Sequence, residues 1–472
     1  MPSPIRLVEV PPASFRSLPP AKPHDSPTQS TMHTPATLSL EHSQIIDEVE
    51  YVIVSPSEET ITEEESNKGP WLIVIGTWLV QFCTYGYVSA FGVYQDHYTR
   101  EFLPNRSPSE ISWIGSVQLF LQYALGVVVG RIYDLGYFHY LIGVGTILQT
   151  VSLFMLSLTR PHHYPEIFLA QAVGMGLGQA MLFLPSLSIV SHHFKRRRAM
   201  ATGVAVSGAS VGGIVWPIIL NQASRKLDFP NAIRISAAIL CTFLVLANSL
   251  YSIAIPKREA VQVGLQHKPN FRVIRTDWAY LASILSAFCI NLGLFFPYFY
   301  LQSYALSEGL ESSFVLYLLA ILNAGSVFGR VLPSFLADKL GVYNVLLPSL
   351  YISSGLGFAL FGIHTSARLA VFALLYGFWS GSYVSLIPSL LVQLSSDPGE
   401  LGVRMGIAFS IVAISLLGGT PIEGMFLGAD GKSLEWSHPI LFCGVIITCG
   451  SFGMTISKYL FIRSRRAHSR WV

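Results

Sequence analysis

Charge is what this chain has least of, and it is missing in long blocks. Only 12% of the 472 residues are Asp, Glu, Lys or Arg. Twelve runs of about eighteen residues or more contain none of the four: 70–94, 111–130, 137–159, 167–191, 199–224, 235–256, 278–307, 312–329, 340–363, 369–396, 405–422 and 439–457. With a mean hydropathy of +0.50, this pattern excludes an ordinary soluble domain. About 20 residues at ~1.5 Å rise cross a hydrocarbon core of ~30 Å. Lipid offers no backbone partners, so each run must be a helix that satisfies its own amides and carbonyls. The expectation is an all-α membrane protein with twelve transmembrane helices, embedded in the lipid bilayer.

Cysteine is scarce too. Its five copies, Cys83, Cys241, Cys289, Cys443 and Cys449, all fall inside the apolar runs. They read as buried free thiols, which excludes a disulfide or metal framework. No Gly-rich loop followed by Lys is present, so no ATPase motor is expected, nor any cofactor. No enzyme constellation emerges, and nothing points to a nucleic-acid partner. His192-His193, in a basic loop, reads as interfacial rather than metal-binding. No cleavable signal peptide and no lipidation motif is visible.

What the chain does have is a repeat. Gly174-x-x-x-Gly178 followed by Pro185-Ser186-Leu187 returns 203 residues later as Gly377-x-x-x-Gly381 followed by Pro388-Ser389-Leu390. Asp134-Leu135-Gly136 has a looser echo in Asp338-Lys339-Leu340-Gly341. Such a repeat in an apolar chain means a body of two related halves, the plan of many secondary transporters. It divides the runs six and six. The expected domains are a six-helix bundle over 70–255, a short basic linker over 256–276, and a second bundle over 277–462.

The charges that remain set an orientation. Seventeen Lys and Arg fall in the loops assigned to the inside and in the C-terminal tail, more than twice the number in the outer loops. Lys195 to Arg198, the linker and the tail 463–472 hold the densest clusters. By the positive-inside bias both termini are cytosolic. Residues 1–69 are rich in Pro, Ser and Thr, then carry nine acids and no Lys or Arg over 41–65. They read as a disordered cytosolic tail, solvated or regulated through its hydroxyls, with one strand-like piece from Val49 to Val54. Asn105-Arg106-Ser107 is the one N-glycosylation sequon, in the first outer loop, with Pro108 weakening it as an acceptor.

The most specific text begins at His193 and runs Phe194-Lys195-Arg196-Arg197-Arg198-Ala199-Met200-Ala201-Thr202-Gly203-Val204-Ala205-Val206-Ser207-Gly208. Basic residues anchor the loop at the headgroups. The small residues, continuing to Gly212 and Gly213, let helix five approach a neighbour closely. The stretch resembles the helix-five signature of the monocarboxylate porter family of the major facilitator superfamily. Phe194, Arg196, Arg197, Arg198, Ala201, Gly203, Ala205 and Gly208 match that pattern, with His193, Met200 and Ser207 near it. The family's helix-one signature survives as Gly69-Pro70-Trp71. The resemblance covers 69 to about 460 and is closest in flavour to the fungal branch.

That resemblance implies the major facilitator fold and roles for several residues. Gly130-Arg131-Ile132-Tyr133-Asp134-Leu135-Gly136 is similar to the superfamily's loop after helix two, whose acid pairs with a base from another helix and holds the inner gate. Ser334-x-x-x-Asp338-Lys339-Leu340-Gly341 is its second-half counterpart. The plain alternative is loop chemistry, a Gly cap and a solvated acid. The resemblance also links Arg330 in helix eight to substrate. From the residues alone two readings of Arg330 stay open: snorkelling to the inner headgroups, or an anion-binding charge facing a cavity.

Two groups that the resemblance leads one to expect are missing. Where proton-coupled carboxylate carriers have an Asp one turn before that Arg, this chain has Ser326, with Asn323 a turn further back. Where they have a Lys in helix one, it has Ser89. Neutral groups fill the middle instead: Asn291, Pro297, Tyr298 and Tyr300 in helix seven, with Tyr85, Gln118, Gln122, Gln179, Asn323 and Tyr383 elsewhere. Pro297 frees a backbone carbonyl and can hinge its helix. Such a lining suits a larger, partly aromatic or weakly acidic molecule; the alternative is an interfacial belt and helix-to-helix glue. Glu423, near the outer end of helix eleven, is either a proton site or a group in the outer headgroups.

The expected function is secondary active transport of a small organic metabolite, leaning to export of a natural product, with a proton as candidate co-substrate. The chain is expected to work as a monomer in the plasma membrane. Proton-linked uptake of a monocarboxylate is the first alternative. A non-transporting sensor signalling through the tail is the second.

Overall fold

In the computed structural model the described residues are 68–255, 271–395, 398–427 and 436–465. The tail over 1–67, most of the linker (256–270) and the last seven residues lie outside them, and so do the expectations placed there. Twelve helices long and apolar enough to cross a membrane follow in order: α1 Gly69–Phe102, α2 Glu110–Asp134, α3 Phe138–Leu156, α4 Tyr164–His193, α5 Arg198–Lys226, α6 Phe229–Ala254, α7 Trp278–Ser307, α8 Ser313–Leu340, α9 Val342–Gly362, α10 Ser366–Leu394, α11 Leu401–Phe426 and α12 Ser437–Ser464. The described residues contain no strand. Every charge-free run seeds one helix. Several helices overshoot their run, because a charge ends a run without ending a helix: α8 continues past Arg330 to Leu340. The described end of the linker is itself helical, over Phe271–Thr276.

The first six helices pack among themselves, α1 on α5 and α6, α3 on α4 and α6, α2 on α4. The last six repeat the plan, with α7 on α12 and α11, α8 on α10, and α9 on α12. The two sets meet along α2 with α11 and α5 with α8. The end holding Lys195 to Arg198 is called the inner end below.

Small residues make both seams. Gly126 and Gly130 on α2 lie against Gly406 and Gly402 on α11, where a Cβ at Gly130 would collide with the Gly402 carbonyl. Beside them Ser410 Oγ donates to the Ala124 carbonyl (2.8 Å) and accepts from the Val127 amide (3.3 Å). On the other seam Gly203 faces the Arg330 carbonyl and Ser334, and Gly213 faces Asn323. The small stripe of α5 also receives α1: Gly208 lies on the Trp78 carbonyl and Gly212 on the Phe82 carbonyl. Trp71 at the head of α1 meets Phe194 edge-on at 5.4 Å.

Away from the seams the exposed faces are apolar, as hydrocarbon requires. On α3 they carry Val144, Ile147, Val151 and Met155. The cysteines do not all follow the expectation of burial. Cys83 and Cys443 are buried, Cys241 and Cys289 half-buried, and Cys449 exposed. A thiol is apolar enough to face lipid as readily as core.

Three helices are interrupted: α2 at Leu125, between Pro108–Ala124 and Gly126–Asp134, where Ser410 bridges the join, and α1 and α7 nearer their middle. In α1 a helix over Lys68–Cys83 ends, a short turn over Tyr85–Val88 follows, and helix resumes at Phe91. In α7 the first segment ends at Leu294 and a second spans Phe296–Ser307. A break frees carbonyls that lipid cannot satisfy. In α1 the Phe82 carbonyl accepts from Trp216 Nε1 (2.9 Å) and the Cys83 carbonyl from Gln149 Nε2 (2.7 Å). In α7 Pro297 has no amide to offer Gly293. The Gly293 carbonyl takes the Cys443 thiol (3.2 Å) and the Leu294 carbonyl the Tyr376 hydroxyl (2.7 Å).

The repeated Gly-x-x-x-Gly phrases occupy matching helices but face different neighbours. Gly174 and Gly178 on α4 pack against Ser152 and Gln149 of α3, whereas Gly377 and Gly381 on α10 pack against Leu322 and Ser326 of α8. The turn over Phe168–Met175 is wound as a π-helix, and α10 is α-helical throughout. The wider turn rotates the face that α4 presents.

Candidate functional site

Arg330 lies on the seam between the halves. Its side chain is only 3% exposed and lies against α5. Nη1 donates to the Val206 carbonyl of α5 (2.8 Å), and Nε donates to Ser326 Oγ (3.2 Å), which itself accepts from Ser210 Oγ (3.0 Å). The position reserved by resemblance for an Asp is therefore in contact with Arg330 through a neutral hydroxyl. Among the described residues no carboxylate forms an ion pair with the guanidinium. Snorkelling to the inner headgroups does not occur: the donors turn across the seam.

Around this charge stand phenols. Tyr85, Tyr123 and Tyr298 are its electrostatic neighbours. Tyr85 follows the break in α1 and Tyr298 follows the break in α7, so the irregular backbone of each half delivers one phenol to the same charge. Tyr85 meets Tyr123 edge-on at 6.5 Å. Tyr123 packs with Phe183 (4.8 Å) and with Phe409 of the opposite half (5.6 Å). Tyr298 bonds Ser380 Oγ (3.1 Å).

The remaining candidates divide. Asn291 Nδ2 donates to the Tyr383 hydroxyl (2.8 Å) and to the Ala287 carbonyl (2.7 Å). Both residues are buried, as a tie between α7 and α10. Asn323 Nδ2 donates to its own helix at Leu319 (3.0 Å) while its amide fills the hollow left by Gly213. Gln118 Nε2 donates to Gln179 Oε1 (3.1 Å), and Gln122 beside Tyr123 has neither amide atom bonded.

The two loops with acids make one crosswise arrangement. Asp134 at the end of α2 accepts from the amides of Gly402 and Val403, each at 2.8 Å, at the start of α11. Asp338 at the end of α8 accepts from the amides of Ala199 and Met200, again at 2.8 Å, at the start of α5. Each acid caps a helix of the other half, where the helix dipole favours negative charge. For Asp134 the partner is this helix end and not the base that the resemblance led one to expect. Gly136 and Gly341 turn the loops with φ of 87° and 91°, a conformation open to glycine. Gly130 gives α2 its close approach to α11.

The sequence pattern of the Major Facilitator Superfamily matches residues 73–420, from α1 into α11. The chain belongs to the Major Facilitator Superfamily. Among curated members it is 35% identical over 382 residues to "MFS-type transporter 1" of Ophiocordyceps sp., covering 80% of this chain and 84% of that one. It is 34% identical to the "Aspyridones efflux protein" of Emericella nidulans (81% and 77% covered) and 36% identical to the "Agnestins efflux protein" of Paecilomyces divaricatus (82% and 87% covered). Among solved structures the fold matches a bacterial homologue of the iron transporter ferroportin in an outward-facing state, with TM-score 0.66 at 13% identity over 83% of this chain and 99% of that one. It also matches the human organic anion transporter MFSD10, with TM-score 0.59 at 14% identity over 83% and 98%.

Three residues of this major facilitator transporter stand apart from the sequence reading. Tyr123 belongs to the Arg330 cluster, but an aromatic within an apolar run gives no signal of its own. Arg404 reads from sequence as one more inner-loop cation. It is fully buried, 3.0 Å from Asp277 and 3.6 Å from Glu400, with its guanidinium 5.2 Å from the Tyr280 ring centre. It fastens the start of α11 to α7, beside the amides that Asp134 caps. Glu423 does not sit among outer headgroups: it is 1% exposed, and neither carboxyl oxygen has a hydrogen-bond partner.

Proposed function

We propose that this transporter exports a small, weakly acidic, partly aromatic organic metabolite of the secondary-metabolite kind. One observation carries the reading: a buried guanidinium, ringed by phenols, with no carboxylate of its own. A lone buried cation is costly unless something neutralises it, and an anionic substrate is the natural partner. Arg330, Tyr85 and Tyr298, with Tyr123, form the binding group; Asn291, Tyr383 and Asn323 shape its walls. The efflux proteins named for aspyridones and agnestins support export of a secondary metabolite.

The two bundles, 70–255 and 277–462, rock about this site. Asp134 with Gly130, and Asp338 with Gly341, latch the inner side between turns of the cycle. Both termini face the cytosol, the membrane is the plasma membrane, and the monomer is the working unit. The helix-five signature and Trp71 favour the monocarboxylate-porter branch, while Ser326 and Ser89 argue against that branch's proton–carboxylate chemistry. We expect a proton gradient to drive the cycle through another group. Asn105 is exposed at the outer end, and a mobility shift lost in Asn105→Gln would show that it is glycosylated.

Inside-out membrane vesicles from cells with and without the protein test the proposal. Under an imposed proton gradient, vesicles holding the protein should take up weakly acidic aromatic metabolites from a mixed extract, and Arg330→Ala vesicles should not. Acid-stimulated uptake of lactate or pyruvate into intact cells, without uptake by the vesicles, would favour the monocarboxylate alternative and overturn export.

A further inference from the structure

Glu423 sits where four helices of the second half converge. Its ionisable neighbours are Tyr300 on the outer segment of α7, Tyr376 on α10 and Cys443 on α12. No Lys or Arg of the described residues pairs with it. The Tyr376 hydroxyl and the Cys443 thiol are already committed to the carbonyls freed by the break in α7. Tyr300 stands on α11 beside Gly424, its hydroxyl 2.8 Å from where a Cβ would lie. On its own helix Gly419 rests against the Leu292 carbonyl of α7. The carboxyl is thus enclosed, with α7 packed on the same stretch of α11, and both oxygens are unpartnered.

We propose that Glu423 binds the coupling proton, and that the outer segment of α7, Phe296–Ser307, is the lid that controls its access to water. This deepens the reading of the chain as a gradient-driven exporter and rests on it.

The chemistry runs in two steps. A carboxylate without a donor or a counter-ion is far more costly in an apolar pocket than the same group carrying a proton. The enclosed arrangement therefore holds Glu423 as the acid, and ionisation requires water. The segment that keeps water out is already detached from the rest of α7 at Phe295. The carbonyls of Gly293 and Leu294 at the break are held by α12 and α10, so they stay satisfied when the segment swings. Loss of the proton and opening of the lid are then one equilibrium, and a ligand moves an equilibrium by its differential affinity for the two states. Here that ligand is the proton. A proton gradient then biases the lid, and the lid belongs to the helix that also carries Tyr298 to the Arg330 cluster.

Two substrate-free measurements on the purified full-length protein in lipid test this, so they stand or fall apart from export. Infrared difference spectra on raising the pH should show loss of a carboxylic C=O band from an unhydrated acid, present in wild type and Asp134→Asn and missing in Glu423→Gln. Hydrogen exchange of 296–307, compared between wild type and Glu423→Gln at each pH, should be equal in acid. In alkali it should diverge by roughly tenfold per pH unit, as release of one proton dictates. Should Glu423→Gln fail to fold, Glu423→Asp must shift the band. A band untouched by either substitution, or an exchange ratio flat with pH, would overturn the proposal.

Discussion

At the residue scale, function turns on one unmatched charge. Hydrogen bonds to charged groups contribute about 1.5–3 kcal/mol, roughly 10–100-fold in affinity. Arg330→Gln should weaken binding of an acidic substrate by that factor, read by competition in vesicles, with normal amounts of folded protein. Ser326→Asp is the sharper test. Ser326 Oγ already touches Arg330 Nε, so a carboxylate there would neutralise the site from within. We expect a comparable loss of acidic substrates, with neutral ones spared. Arg330 was legible in the sequence as the lone charge in an apolar helix. Its surroundings were not: from the residues alone it could as well snorkel to the inner headgroups, whereas in the fold it lies against α5. Tyr123 and Arg404 were illegible for opposite reasons, one hidden among core aromatics and the other among loop cations.

At the element scale, helix ends and helix breaks do the work. Each acid at an inner loop caps a helix of the other half. Charge at a helix N-terminus stabilises by about 0.3–1 kcal/mol, and up to ~2 in buried geometry. Asp134→Asn should therefore shift the molecule away from the inner-closed form by roughly fivefold. A cysteine at Ser188, buried on the seam beside Met405, should label faster with maleimide in that variant, in a background with native cysteines replaced. Gly130→Ala places a methyl on the Gly402 carbonyl. Overpacking of this kind costs about 1–3 kcal/mol, and a lower melting temperature together with lost transport should follow. The break in α7 was legible because Pro297 announces it. The break in α1 was not, since Thr84 and Gly86 are ordinary residues in a helix, and only the donors Trp216 and Gln149, distant in sequence, show that the carbonyls were meant to be free.

At the scale of the whole molecule, the charge-free runs gave the number and order of the helices almost directly, because hydrocarbon leaves no other solution. The repeat gave the six-and-six plan. It did not give the seams: the Gly-x-x-x-Gly pairs that join the halves are Gly126/Gly130 and Gly402/Gly406, while the repeated phrases pack within each half and on different neighbours. Matching text thus specifies the two scaffolds; Arg330 and the phenols that follow the breaks in α1 and α7 sit between them unmatched, and Glu423 is unmatched within the second half. The central claim is that this unpaired charge carries an acidic metabolite outward. The direct measurement is the distribution of metabolites between cytosol and medium in cells expressing wild type, Arg330→Ala or no protein. We predict that weakly acidic aromatic metabolites move to the medium with wild type alone and are retained in the other two. The same distribution in all three would contradict the account.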